Sequence, residues 1–262
     1  MSNNTAIAER IKLSSLNTGM WRPTRLHKTE TKAENERHKT DVAKVLIKLT
    51  DNENLKRVSQ IHSAAYIEHK RITLPTVQDG MRMLPAGREL EHAQRMQDYR
   101  DQHDKAVAAF LAEYDHEKEI APIRLNGLYD ASMWPSHSRI ADKFRFDTRY
   151  LACPSDGSWA DWIEESSRAA HEELHDRIKS TLERVRDRCN SEGPLYATVF
   201  DSVRDLADLV PDLDFDGSFT PVVEAIKPLT GIHAENLRDD KGGREAAAER
   251  AASILSVLGG IK

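Results

Sequence analysis

At 262 residues, 39% apolar, 31% charged and carrying a net charge of −5, the chain is too apolar and too nearly neutral to be disordered. It is long enough for one large domain or two small ones. No run of about 18 apolar residues offers a membrane span, and the opening MSNNTAIAERIKLSS lacks the apolar core of a secretory signal. The only cysteines, Cys153 and Cys189, make neither a disulfide framework nor a Cys-based zinc site, so the expected location is cytoplasmic.

Charge is unevenly spread. Residues 1–152 hold 25 Lys/Arg against 21 Asp/Glu, and residues 153–262 hold 13 against 22. The basic part clusters Arg22, Arg25, Lys28 and Lys32 early, a sparser patch than nucleic-acid binders usually carry.

In chain order, residues 1–11 are expected to be a flexible N-terminus and residues 12–22 to be extended, with Gly19 as an irregularity and Pro23 as a stop. Val42, Val45, Leu46 and Leu49 recur at three and four and predict a helix over about 29–49. Asp51 or Asn52 caps a second helix, 53–70, with Leu55, Val58, Ile61 and Ala65 on one face. Residues 71–85 hold an Asp79-Gly80 turn signal and read as a short hairpin with Pro75 at an edge.

A long helix is predicted over 87–118, roughly 45 Å at 1.5 Å per residue. Its stripe is Leu90, Ala93, Met96, Val107, Phe110, Leu111 and Tyr114, and its polar middle, QDYRDQHD, is expected to stand in solvent or meet another helix. An irregular segment follows from Pro122 past Trp134-Pro135, with a short helix to about 142. In 143–152, Phe144, Phe146, Thr148 and Tyr150 alternate with Arg145, Asp147 and Arg149, the clearest strand, with 12–22 as its expected partner.

CPSDGS at 153–158 is a turn and a boundary. Residues 159–190 carry Ile163, Ala170, Leu174, Ile178, Thr181, Leu182, Val185 and Cys189 at helical spacing, a coiled-coil arm or bundle helix. A helix over 194–210 should open on Pro194 and bury Tyr196, Val199, Phe200, Val203 and Leu206. Helices near 221–228 and 243–258 complete the chain before Gly259-Gly260. The fold class is therefore mainly α (α+β), with long amphipathic helices and a small antiparallel sheet. The expected division is an α+β domain over 12–152 with a helical protrusion, and a C-terminal helical region over 153–262.

Two motifs suggest metals. His171-Glu172-Glu173-Leu174-His175 is HExxH, in which two His four apart on a helix share a zinc ion and the Glu, here Glu172, acts as general base. Against it, Glu173 and Asp176 are charged, and Glu192 and His233 are third-ligand candidates by type alone. On a helical wheel the two His lie about 40° and 80° from the centre of the apolar stripe at 100° per residue. Histidines flanking a bundle seam are the simpler reading.

Asp212-Leu213-Asp214-Phe215-Asp216-Gly217 resembles the first half of an EF-hand calcium loop, with Asp212, Asp214 and Asp216 as ligands. Position 12 should be a bidentate Glu and is Val223; Glu224 comes one residue late and Pro221 intrudes. An acidic loop before a helix opened by Thr220 and Pro221 is again simpler. No GxGxxG, GxxxxGK[ST] or GxSxG occurs. His62, His69, His92 and His103 are expected at helix surfaces or boundaries, and Trp21 and Trp134 as core anchors beside the sheet.

The run LSSLNTGMW, the long charged helical pair and the strand FRFDTRYLACP resemble, over about residues 12–152, an uncharacterised family of phages and bacterial mobile elements found near MoxR/CobS-like AAA+ ATPases. The resemblance implies an accessory role beside an ATPase and no reaction. The expected function is a non-enzymatic helical interaction or scaffold protein, self-associating or joining a larger assembly, with no resident cofactor. The alternatives are a zinc hydrolase and a nucleic-acid-associated factor.

Overall fold

A computed structural model describes residues 3–154 and 159–261, so the turn expected at 153–158 falls partly outside the described residues. The protein is mainly α-helical with a small antiparallel sheet, as its sequence predicts. Helix α1 (Asn3–Arg10) leads into β1 (Ile11–Gly19), followed by β2 (Thr24–Leu26), α2 (Lys28–His38), β3 (Leu46–Lys48) and α3 (Glu53–Ile72). Next come β4 (Leu74–Pro75), β5 (Arg82–Pro85), α4 (Glu89–Leu125), α5 (His137–Ala141) and β6 (Arg145–Ala152). Helices α6 (Ala160–Asn190), α7 (Ala197–Leu213), α8 (Thr220–Thr230) and α9 (Lys241–Leu258) follow. One sheet has the order β4-β5-β1-β6, so β1 neighbours β6 as expected and Pro75 sits on an edge strand; β2 and β3 form a second, two-stranded ribbon.

Several elements depart from expectation. Residues 1–11, expected to be flexible, include α1, with Ile7 and Ala8 buried. The helix expected to reach residue 49 stops at His38. Lys39 takes a left-handed conformation at φ 51°, and Asn35 then holds Ala43, accepting its N–H at 3.0 Å, so that residues 46–48 pair with β2 instead. The long helix α4 continues through Pro122 to Leu125. Pro194 lies ahead of α7, and Tyr196 is exposed. Leu90, placed in the apolar stripe, is 83% exposed.

The chain forms two compact units from interleaved segments. Unit 1 comprises residues 1–15, 70–92 and 149–262, and unit 2 comprises 16–69 and 93–148. All four crossings fall inside regular elements: β1, α3, α4 and β6. Among the described residues no helix is long and apolar enough to cross a membrane.

Unit 1 is organised by α6. All eight of its expected stripe positions are buried, and they are covered by α7 and α9 of the same chain, with α1 and β4 also packed against α6. The arm is thus a bundle helix. Helix ends leave carbonyls without intrahelical partners, and arginines collect them here. Arg177 donates to the carbonyls of Lys70, Arg71 and Thr73 at the end of α3. Arg10 donates to Asp214 and Phe215 after α7, and Arg204 to Thr230 and Ile232 at the end of α8. Arg244 donates to Ser191 and Gly193 after α6, and to Leu237 and Arg238. A guanidinium suits this work because its five donors form a rigid fork.

Unit 2 buries an aromatic cluster. Trp21 lies against Phe110 and Tyr114, each 5.9 Å between ring centres, and Trp134 closes the group. Gly19 allows the close approach of the turn that leads into β6, since a Cβ there would stand 3.2 Å from the Lys143 carbonyl oxygen. The polar middle of α4 does both things expected of it: most of QDYRDQHD is exposed, while His103 is buried and stacks on His62 of α3 at 5.0 Å, with Phe146 beside both. His69 and His92 are also buried, contrary to expectation. They occupy stripe positions, His69 four after Ala65 and His92 four before Met96.

Two predictions follow from these packings. Arg244→Lys removes the fork from four carbonyls and should cost about 1–3 kcal/mol of unfolding free energy in denaturant titration; an unchanged midpoint would discard the capping role. Burial, then the neighbouring His103, pushes His62 down to about 4 from its ordinary 6.5. The unfolded chain therefore takes up a proton that the folded chain refuses, and stability present above pH 6.5 is lost as pH falls toward 4. Allowing for partial solvent screening, the loss is about 2 kcal/mol. His62→Phe should flatten that stretch of the stability–pH curve, and an equally steep curve in the variant would exclude His62 as its source.

Candidate functional site

The HExxH segment lies on α6, as expected, but its residues part company. Glu172 is exposed. Glu173 accepts from Arg177 at 2.6 Å and Arg82 at 3.0 Å. Burial pushes its carboxyl up, and Arg82 and Arg177 more than offset this, holding it below the ordinary carboxylate range. His175 has Asp176 as its neighbour, at 3.7 Å. His171 turns instead to the loop between α7 and α8. Its ring lies tilted against Phe219 at 4.6 Å between centres, and its Nδ1 stands 3.4 Å from Ser218 Oγ and 3.7 Å from Asp216 Oδ2.

The acidic loop divides in the same way. Asp212 accepts from Arg88 Nε at 2.6 Å and takes no part in the loop's interior. Asp214 is 6% exposed; its Oδ2 accepts from the Phe219 N–H at 3.0 Å. Asp216 accepts from the Ser218 N–H at 2.9 Å. Gly217, at φ 80°, makes the turn that a side chain would strain. Glu224, the late twelfth-position candidate, pairs with Lys227. Burial, then the neighbouring Asp216 carboxyl, raises Asp214 above the ordinary value; burial also pushes Asp216 up, but the bonds from Ser218 more than offset it and hold it lower.

The residues of each motif thus take different partners, while His171 of one stands 3.7 Å from Asp216 of the other. Among the described residues no group of three or more His, Cys, Asp or Glu side chains is placed to hold a metal ion. Sequence reading placed the two motifs 40 residues apart and had no means of joining them.

Unit 2 holds a separate open cleft of about 1010 Å³. Arg25, His27 and Lys28 line it from β2 and the start of α2, and Arg139 and Lys143 from α5 and the segment after it, with the carboxylates Glu30, Asp130 and Asp142 between them. His27 is buried and caps α2, its Nδ1 accepting from the Glu30 N–H at 3.1 Å, which leaves Nε2 as the ring's donor. The early basic cluster of the sequence lies partly here; Arg139 and Lys143 were not foreseen, because only the fold brings them to β2. Comparison with known protein families, curated proteins and solved structures finds no match to this chain.

Proposed function

We propose that the protein is a non-enzymatic interaction protein that self-associates through the β2–β3 ribbon and α2. The observation that carries this reading is the ribbon's outer face. Leu26 and Leu46 are directly opposed across the strands, so they share a face, yet they are 42% and 63% exposed, and Val42 beside the ribbon in sequence is 77% exposed. Helix α2 buries none of its residues. The long helices carry no such argument, since the stripe of α6 is covered within the chain. The expected occupant is a second copy, and the resemblance to a phage and mobile-element family supplies a cytoplasmic setting beside an AAA+ ATPase.

A second reading rests on the cleft. Lys28, Arg139 and Lys143 have no ion-pair partner among the described residues, and they converge with Arg25 on one opening. That supports an acidic partner such as a nucleic acid. Neither hydrolysis nor calcium signalling gains support from residues so dispersed.

Sedimentation over a wide concentration range tests self-association. Wild type should dimerise, and Leu46→Glu should weaken the dimer by roughly 30-fold, about 2 kcal/mol. A chain monomeric at every concentration overturns the reading. For the cleft, binding of a labelled oligonucleotide should weaken steeply with salt, and Arg139→Ala should lower the salt slope by about one. No binding at low salt would discard it.

A further inference from the structure

We infer that the open cleft of unit 2 is a site for a small phosphomonoester that also carries hydroxyl groups, such as a mononucleotide, with its phosphate at the start of α2. The inference rests on the reading of this cleft as the seat of an acidic partner, and it fixes the size and chemistry of that partner.

The start of α2 has donors to spare. A helix begins with N–H groups that lack an intrahelical acceptor, and their aligned dipoles favour negative charge. Here the His27 N–H reaches the Val45 carbonyl at 2.9 Å, and the Glu30 N–H reaches His27 Nδ1 at 3.1 Å. That leaves the N–H groups of Lys28 and Thr29 side by side, on two exposed residues that line the cleft.

A side chain points the same way independently. His27 is 8% exposed. With Nδ1 committed to Glu30, its Nε2–H has no acceptor among the described residues, and the residue lines the cleft. Buried donors are nearly always met, so an acceptor belongs there. Lys28, Arg139 and Lys143 have no ion-pair partner among the described residues, which leaves their charge open to a ligand. Arg25 is already steadied: its Nη1 donates to the carbonyls of Arg22 and Thr24, and its guanidinium stands 5.6 Å from the Trp21 ring centre. A group held in place before binding loses little freedom on binding.

The carboxylates decide between a polymer and a small ligand. Glu30, Asp130 and Asp142 share the lining with the cations. A nucleic-acid strand lays successive phosphates along a continuous basic groove, and in this cleft it would pass three carboxylates. A single phosphate needs only one positive end, and hydroxyls on the rest of the molecule can donate to the carboxylates. Tyr129 and Met133, both partly buried, give that remainder an apolar wall. The cleft, at about 1010 Å³, lies at the top of the range of small-molecule sites, about 300–1,000 Å³.

The test is calorimetric titration of the full chain with adenosine monophosphate, adenosine and inorganic phosphate, and with an unphosphorylated oligonucleotide in competition. One adenosine monophosphate per chain should bind, inorganic phosphate should displace it, and adenosine should bind at least about 10-fold more weakly. Lys28→Ala and Arg139→Ala should each weaken adenosine monophosphate by about 10-fold and leave adenosine unchanged. His27→Asn keeps a capping acceptor for the Glu30 N–H and loses the ring donor, so weaker binding with an unchanged circular dichroism spectrum separates loss of the site from loss of the helix. Lys105→Ala, at an exposed position outside the lining, should change nothing. Adenosine monophosphate that fails to bind, or that binds indifferently to Lys28 and Arg139, overturns the inference. An oligonucleotide that binds through Arg139 and is not displaced by adenosine monophosphate overturns it too, yet leaves the acidic-partner reading standing. A chain that binds neither removes both.

Discussion

In unit 1 the helices end on arginine. The buried stripe of α6 supplies the apolar driving force, but that force is non-directional and does not say where a helix should stop. Arg10, Arg177, Arg204 and Arg244 do, each spreading one guanidinium over carbonyls that follow or close a helix. A bundle whose helix ends are tied to residues far along the chain has its loops placed as firmly as its core. The α7–α8 loop is the case that matters, since Arg10 holds the carbonyls of Asp214 and Phe215 while His171 faces its acidic side chains from α6.

Much of this fold was legible because periodicity and burial agree where one helix has one covered side. The eight positions of α6 and the face of α3 needed nothing beyond spacing. The ribbon was illegible for the opposite reason. Val42, Val45, Leu46 and Leu49 fit a helical spacing as well as a strand, and the choice was made by Asn35 clamping Ala43 and by pairing with β2. The buried histidines misled because residue type was weighed above position. His103 lies seven after Met96 and three before Ala106, which is stripe spacing.

The candidate site shows a different limit. Each metal motif was read as a local unit, and each dissolves locally: Glu173 into an arginine pair, Asp212 onto Arg88. What remains of both converges across 40 residues, and only tertiary packing could reveal that. The ribbon of unit 2 belongs with it in kind, since Leu26 and Leu46 become an exposed apolar pair only once β2 and β3 come together.

The interleaving of the two units sets an order of events on the ribosome. Unit 2 has all its residues once residue 148 is made, whereas α1 must wait for α6, about 150 residues later, before Ile7 and Ala8 find their cover. Contacts that distant in sequence form slowly. For that interval Ile7 and Ala8 lack the α6 surface that covers them in the fold, while Ile11 and Leu13 can already pair with β5.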